Sequence, residues 1–406
     1  TPPSSCPSCG HQLKFFRENL PILGWLFLRG KCKYCKTSIP CEYPIVECIT
    51  ASMFLLLYAL CYWIPTTTPF FGEIFGQWWH SNGIYRTLPA FIALAAMFSG
   101  LLAMTVIDAR TYTIPIQIPV VMTVLAFIAS VVQPLIQLRF TPLQTWMTPM
   151  ADWTWSAAAI GGFAGILLST TLLRLGILRY SFADYDEYIK EDEPLAEYPH
   201  ARREMFRELM FLLPAMIGFV AGFIIGYENG HPTMLVQSIT SSLLGYLVAG
   251  GLVWAVRILG SLAFGKEAMG LGDVHLLAAI GAVVGWFDPI LIFFIAPFSG
   301  LVWAAISTIL AKMGKKRREI PYGPHLAIAT VIVVLAMPAV QFGWKIMMPG
   351  VLMPEDGIRK VEKVQTFYRG VDLTNESIPY SIYIPPDAVG YGIVKQDVFL
   401  TNGAVL

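Results

Sequence analysis

Two aspartates stand beside long apolar segments, where a charged side chain is costly and commonly functional. Asp273 ends the stretch 265–273, whose three glycines let the backbone bend tightly and approach another segment closely. Asp108 ends another apolar segment. Two carboxyl groups held close together share a proton, so one can activate water while the other polarises a carbonyl group. The pair therefore indicates hydrolytic chemistry, provided that the fold brings the two side chains together.

Four cysteines near the start of the chain form a second group of residues that could carry out chemistry, in this case metal binding. Cys6 and Cys9 make one Cys-x-x-Cys pair, and Cys32 and Cys35 make another after 22 intervening residues. Two such pairs are typical of a zinc site with four thiolate ligands, although this spacing is slightly longer than in most zinc ribbons. A disulfide-linked or idle segment is the alternative. We predict a structural zinc site.

The elements that must position these residues are predicted to be membrane helices. The 406 residues are 55% hydrophobic and only 14% charged, whereas soluble domains carry about 25% charged residues. Several apolar segments approach the length of about 20 residues that spans a lipid bilayer. The chain is therefore predicted to be an all-α polytopic membrane protein with about eight to nine transmembrane helices. The net charge of +1 gives no indication of nucleic-acid binding.

Changes in composition divide the chain into three predicted parts. Residues 1–43 are polar and form the zinc-binding segment, and residues 44–342 form the transmembrane domain. Residues 343–406 are a polar tail with many prolines and glycines. Short β-prone pieces such as 381–384 and 392–394 predict that this tail is partly β, or else loosely ordered.

The distribution of lysine and arginine predicts the orientation in the membrane. Basic residues cluster before the first apolar segment, around residues 179–208, and at 312–318. Alternating spans place all three clusters on one side, which the positive-inside rule assigns to the cytoplasm. The same count places the cysteine pairs, Asp108 and Asp273 on the cytoplasmic side, and the tail on the opposite side.

Local motifs identify a family that the chain resembles. The stretch Gly270-Leu-Gly-Asp273 resembles the GxGD motif of membrane aspartyl proteases, and residues 265–282 are similar to the corresponding stretch of prepilin peptidases, the type IV leader peptidases. The resemblance covers most of residues 1–342. Further pieces in that family's order are Cys6-Pro-Ser-Cys9, residues 18–26, 28–35 and 43–47, Asp108 with Ile114-Pro115, and residues 320–326.

The resemblance implies a membrane aspartyl endopeptidase of the bacterial inner membrane. Such an enzyme removes the short basic leader of prepilins and pseudopilins at the cytoplasmic face. Asp108 and Asp273 match the two catalytic aspartates of the family. Positions that the resemblance marks as part of the motifs, or as their support, are Pro115, Lys266, Glu267, Gly270 and Gly272.

The cysteine pairs belong, by this resemblance, to a bifunctional branch of the family. That branch also N-methylates the new amino terminus with S-adenosylmethionine, and Gly30 matches a position tied to methylation. The family usually begins with a membrane span before the cysteines, which this sequence does not include, so a shortened chain and a lost span are both open. Ile116 and His275 replace a usual acid and a usual lysine. Residues 156–228 are predicted to be an insertion of two helices with a charged loop.

Two other classes of function remain open at this stage. The two acids could serve an ion or proton transporter, or the chain could be a non-catalytic, zinc-bearing assembly protein of a pilus or secretion machine. Transporter acids usually lie near the middle of the bilayer, whereas Asp108 and Asp273 lie at the ends of their apolar segments. The positions of the acids therefore favour hydrolysis.

Overall fold

The structure is a computed structural model with a largely helical chain. It describes residues 5–6, 8–14, 18, 20–75, 77–140, 151–184, 188, 198–227, 232–312 and 321–348, and four short strands between 367 and 400. The chain forms two compact units, Thr1–Trp63 and Ile64–Leu406. The helical content confirms the predicted all-α class. The three-part division at residues 43 and 342 stays a prediction.

Eleven α-helices lie in the described part of the chain. They are α1 (Leu23–Phe27), α2 (Glu42–Tyr58), α3 (Gln77–Thr111), α4 (Gln117–Phe140), α5 (Trp153–Arg174), α6 (Ala201–Ile225), α7 (Met234–Phe264), α8 (Leu271–Val284), α9 (Asp288–Lys312), α10 (Tyr322–Leu335) and α11 (Met337–Met347). A π-helical turn at Ala59–Trp63 continues α2, and a 3-10 turn at Phe71–Glu73 precedes α3.

Seven of the described helices are long and apolar enough to cross a membrane. Helices α10 and α11 meet at a bend of 92°. If this pair is counted as one span, the total rises to eight. The shorter apolar helix α8 has 14 residues. Counting α8 as well agrees with the predicted eight to nine spans, and the protein is a multi-pass membrane protein.

Helix α3 has a kink at Gly83, whose φ of 67° and ψ of 169° are not helical, and it contains Pro89 after that kink. A proline inside a helix removes one backbone donor and distorts the preceding turn. The side-chain amide of Gln133 on α4 compensates: its Nε2 donates to the carbonyl oxygen of Arg86 at 2.7 Å, and its Oε1 accepts from the amide of Ala90 at 3.3 Å. The fully buried Gln133 therefore lets α3 continue past the proline to Asp108.

The apolar stretch from Tyr322 to Met347 is broken into two helices. The break falls between α10 and α11, where Ala336 leaves helical geometry at φ −130° and ψ 31°. Pro338 lies in the first turn of α11 and cannot donate a backbone hydrogen bond to the preceding helix. The bend follows from this missing donor.

Helices α5 and α6 form an antiparallel hairpin whose backbones touch. A methyl group added at Gly161 would lie 2.1 Å from the carbonyl oxygen of Gly218, and one added at Gly218 would lie 2.2 Å from that of Gly161. Small residues allow such close approach of membrane helices. The hairpin covers the region 156–228 that the sequence predicts to be an insertion.

Helix α8 is the most enclosed helix of the bundle. Apart from half-buried His275, its residues from Asp273 to Val284 are buried, and it packs against α7 and α4. Gly245 on α7 and Gly281 on α8 allow the two backbones to meet, since a methyl group at Gly245 would lie 2.1 Å from the oxygen of Gly281. The core therefore holds the helix that carries Asp273.

Short strands occur in the polar tail. Phe367–Tyr368 (β1) pairs antiparallel with Val371–Asp372 (β2), and Tyr391–Val394 (β3) pairs antiparallel with Asp397–Leu400 (β4). The predicted β-prone piece 392–394 lies in β3, whereas the piece 381–384 lies outside the described residues.

Candidate active site and metal cluster

Asp108 lies in the last turn of α3, with only 3% of its surface exposed. The chain turns directly after it, because Tyr112 takes a positive φ of 56° and donates its amide hydrogen to the carbonyl oxygen of Asp108 at 2.9 Å. The carboxyl group faces the start of α10. A methyl group added at Gly323 would lie 2.5 Å from Oδ2 of Asp108.

Asp273 is the third residue of α8 and is also buried, at 7% exposure. Gly270 is the N-cap of this helix, and its carbonyl oxygen accepts the amide hydrogen of Asp273 at 3.2 Å. The first turn of a helix carries a partial positive charge, which favours a carboxylate there. The glycine-rich stretch thus ends in a helix start that suits an acidic side chain.

Ile114, in the loop after α3, packs against two glycines, one next to Asp273 in the chain and one in contact with Asp108. A methyl group at Gly272 would lie 2.7 Å from Cβ of Ile114, and one at Gly323 would lie 3.3 Å from its Cδ1. Since neither glycine has a side chain, the ends of α3, α8 and α10 converge. The carboxyl groups of Asp108 and Asp273 are close enough to interact electrostatically. The structure therefore brings the two predicted residues together.

Each of these carboxyl groups has one buried oxygen without a hydrogen-bond partner in the part of the chain that is described. The two atoms are Oδ2 of Asp108 and Oδ1 of Asp273. A buried polar atom without a partner is energetically costly, and in native structures it commonly marks a functional site. Two neighbouring carboxyl groups with spare acceptor positions can bind water and a polarised carbonyl group between them.

The supporting residues of the motifs differ in their burial and in their contacts. Glu267 is partly buried and forms an ion pair with Arg257 of α7, with Nη1 and Oε1 2.5 Å apart. Lys266, its neighbour, is exposed, and Pro115 is half-buried in the loop between α3 and α4. The motifs marked Lys266 and Glu267 only as supporting positions, so the buried partner of Glu267 is a finding of the structure.

Two residues of the site were not among the predicted site residues, although Tyr322 lies within the motif piece 320–326. Tyr322 begins α10, donates its hydroxyl hydrogen to the carbonyl oxygen of Phe293 at 3.3 Å, and lies within the electrostatic reach of Asp273. Arg257 is the single charged side chain among the 31 residues of α7. A lone arginine in an apolar span is itself a signal of function, and it could have been found from the sequence.

The four predicted metal ligands come together in the first compact unit. The Sγ atoms of Cys6, Cys9, Cys32 and Cys35 all lie within 4.8 Å of one another, and those of Cys6 and Cys35 are 3.8 Å apart. Tetrahedral zinc with Zn–S bonds of about 2.3 Å requires sulfur atoms about 3.8 Å apart. The cluster therefore fits a four-coordinate metal ion with little adjustment.

Both cysteine pairs adopt the same turn. In each turn, the amide of the first cysteine donates to the carbonyl oxygen five residues later, and the amide four residues later donates back to that cysteine. The returning residues, Gly10 and Lys36, have positive φ angles of 67° and 60°. A hydrogen bond with Thr37 holds the pKa of Cys35 at about 6, below that of an ordinary thiol. Repetition of one turn points the thiols toward a common centre.

Gly30 lies between the two turns, where it packs against a tryptophan ring. Its φ is 66°, and a methyl group there would lie 2.9 Å from Cζ2 of Trp25. The indole Nε1 of Trp25 donates to the carbonyl oxygen of Ile39 at 3.1 Å. A side chain at Gly30 would strain the backbone and displace this ring. Packing thus accounts for the glycine, and its link with methylation stays a prediction.

Comparisons with known proteins agree with this arrangement. A family model for the Bacterial Peptidase A24 N-terminal domain matches residues 1–61, and one for the Type IV leader peptidase family matches residues 206–305. The second range contains Asp273, whereas Asp108 lies outside both ranges. No solved structure matches the chain.

Curated relatives extend the similarity over most of the chain. A prepilin leader peptidase/N-methyltransferase of Aeromonas salmonicida is 25% identical over 334 residues, which is 82% of this chain and 71% of the relative. One of Stutzerimonas stutzeri is 26% identical over 337 residues, which is 82% of this chain and 72% of the relative. Both family matches and these relatives agree with the motifs around Asp273 and the cysteines, and over most of its length the chain is similar to the type IV leader peptidase family.

Proposed function

We propose that this protein is a membrane aspartyl endopeptidase that cleaves the leader peptide from type IV prepilins and pseudopilins. The observation that carries the proposal is the meeting of Asp108 and Asp273, both buried and each with a carboxyl oxygen that lacks a partner in the described residues. Relatives named prepilin leader peptidases support the substrate class.

In the proposed mechanism one aspartate acts as base and the other as acid. The ionised carboxylate takes a proton from water, and the hydroxide adds to the carbonyl carbon of the scissile peptide while the protonated carboxyl group gives its hydrogen to the carbonyl oxygen. The proton taken from water then passes to the leaving nitrogen as the C–N bond breaks. A hydroxyl proton of the intermediate returns to the second aspartate, which restores the shared proton.

The place of the pair at helix ends suits a substrate whose own apolar helix lies in lipid. Asp108 lies in the last turn of α3 and Asp273 in the first turn of α8. A cut at this level meets the substrate where its helix leaves the bilayer. We propose that this level is the cytoplasmic face of the bacterial inner membrane, because the clusters of lysine and arginine fall on the same side.

The cysteine cluster is proposed to hold structural zinc. The thiols of Cys6, Cys9, Cys32 and Cys35 would be its four ligands, since a closed set of four leaves no position for a reacting molecule. When bound, zinc would link the two turns and stabilise the fold of this unit.

A second activity, N-methylation of the new amino terminus, follows from the names of the relatives. S-adenosylmethionine is the methyl donor that the resemblance implies. A cavity of about 610 Å³ beside Cys32 is lined by Glu18, Phe27, Leu28 and basic side chains, and its volume falls in the range of small-molecule sites. Its lysine and arginine side chains would pair with the amino-acid carboxylate of the donor, and we propose this cavity as the donor site.

Cleavage of a prepilin by the purified protein in detergent tests the proposed peptidase directly. We expect Asp108→Asn and Asp273→Asn each to lower kcat by about 10³-fold or more, because asparagine keeps the size but cannot exchange the proton. Cleavage is measured by the mass of the shortened pilin, and incorporation of a labelled methyl group is followed in the same samples.

Asp288→Asn is the matched control. Asp288 is buried in the first turn of α9 and lies in the same bundle, and asparagine is tolerated at helix starts. We expect this variant to cut at the wild-type rate. Full activity in either Asp108→Asn or Asp273→Asn would rule out the two-aspartate mechanism. A wild-type protein that cuts no prepilin would favour a transporter or an assembly protein.

A further inference from the structure

Arg257 connects the loop before Asp273 with the helical hairpin of α5 and α6. Its side chain is buried, at 1% exposure, and lies seven residues before the end of the apolar helix α7. A buried guanidinium is very costly unless several groups share its hydrogen bonds and charge. The contacts that satisfy it therefore show what the arginine does.

One part of the guanidinium holds the loop between α7 and α8. Nη1 donates to Oε1 of Glu267 at 2.5 Å and also to the carbonyl oxygen of Met269. Met269 directly precedes Gly270, the N-cap of α8, and Asp273 lies in the first turn of that helix. The arginine thus fixes the loop at its side chain and at its backbone, close to the start of the helix that carries the aspartate.

The other part of the guanidinium is held by α6. Nε and Nη2 form a forked pair with the carboxylate of Glu208, at distances of 2.9 to 3.1 Å. The indole Nε1 of Trp254 donates to the same carboxylate at 2.7 Å. The ring of Phe182 lies 5.2 Å from the guanidinium carbon. Glu208 is itself buried, so the guanidinium has little freedom to move.

We infer that Arg257 is a positioning residue, whose guanidinium, anchored by Glu208 on α6, holds the loop 265–270 so that Asp273 meets Asp108. The inference rests on the proposed function, because its consequence for cleavage requires the aspartyl pair. It gives the hairpin of α5 and α6 a role in the reaction through one buried side chain.

Arg257→Lys is the informative variant. Lysine keeps the positive charge but lacks the planar fork that reaches Glu208, Glu267 and Met269 together. We expect kcat for prepilin cleavage to fall by about 10²-fold, as for a small misplacement of a catalytic group. KM should change by less than about threefold, since the loss concerns the reacting geometry and not substrate binding.

Hydrogen exchange supplies a readout that does not depend on activity. We expect the amides of residues 265–270 to exchange faster in Arg257→Lys, while those of α7 keep their protection. The double variant Arg257→Lys with Glu267→Gln should be no less active than the less active of the two single variants. Both changes break the same contact, so their effects should not add.

Arg207→Lys is the matched control. Arg207 lies on α6 one residue before Glu208 and pairs with buried Glu204, with Nη1 and Oε2 2.7 Å apart. Both residues of this ion pair lie on α6, and the variant should keep the wild-type kcat and loop exchange.

The outcomes separate the inference from the proposed function. If wild type cuts and Arg257→Lys keeps its kcat, the inference is wrong and the peptidase stands. Loss of protection throughout the protein would show that Arg257 only supports the fold, which also overturns the inference. If wild type does not cut at all, the proposed function fails, whereas the exchange of the loop still tests the contact.

Discussion

At the scale of single residues, the site depends on two glycines that have no side chain as much as on the two aspartates. Gly272 and Gly323 leave room for Ile114 and for the carboxyl group of Asp108. Neither glycine is at a positive φ, so their value lies in close approach and not in an unusual backbone conformation. The two acids meet because two side chains are absent.

Gly323→Ala tests this argument. The new methyl group would lie 2.5 Å from Oδ2 of Asp108, so the carboxyl group must shift away from its partner. We expect kcat for prepilin cleavage to fall by about 10-fold to 10²-fold, with little change in the thermal midpoint of unfolding.

Gly251→Ala is the control for this substitution. Gly251 lies within α7, and a methyl group there meets nothing within 4 Å. Alanine favours a helix, so this variant should keep its activity and its stability. Equal loss of activity in Gly251→Ala and Gly323→Ala would contradict a specific role for Gly323.

At the scale of elements, the functional groups lie where secondary structures begin, end or turn. Asp108 closes α3, Asp273 opens α8, and the cysteines lie in two equivalent tight turns. Helix and turn ends leave side chains accessible to partners, whereas the middle of a buried helix does not. This explains why short local motifs carry so much of the chemistry.

The paired turns predict how the metal cluster responds to substitution. We expect Cys9→Ser to lower the zinc content of the purified protein from about one atom per chain to near zero, because a thiolate is the preferred ligand and three ligands close the site poorly. Metal analysis by mass spectrometry measures the content. Cys48→Ser, which alters an exposed thiol in α2, should leave it unchanged, and zinc retained by Cys9→Ser would exclude the four-thiolate site.

At the scale of the whole molecule, alternating helices determine which loops share a side of the membrane. The loop after α5, around Tyr180, and the loop before α8 fall on the side proposed to be cytoplasmic. The end of α6, at Tyr227, falls on the opposite side. Because α5 and α6 form a pair, the sidedness of everything after the hairpin is the same with or without it.

Labelling of introduced cysteines tests this sidedness. Tyr180 and Tyr227 are both exposed, at 60% and 85%. In spheroplasts, a membrane-impermeant maleimide should add label to Tyr227→Cys but not to Tyr180→Cys, relative to the parent protein. Both variants should gain label after lysis, which shows that each thiol reacts. The reverse pattern in intact spheroplasts would invert the proposed orientation.

The sequence by itself determined the features that depend on neighbours along the chain. The composition and segment length identified a multi-pass helical protein, and the turn motifs around Asp273 and the cysteines identified the candidate acids and metal ligands. These signals are local: a glycine-rich helix start or a Cys-x-x-Cys turn is formed by residues only a few positions apart. They could therefore be read without a fold.

Only the tertiary structure decided which distant residues meet. The convergence of Asp108, Asp273 and Gly323 depends on the packing of three helices, and the partner of Arg257 on α6 depends on the approach of the hairpin. Even the course of α3 past Pro89 depends on Gln133 of another helix. Such contacts follow from complementary shapes and buried charges far apart in the chain, which periodicity and spacing do not record.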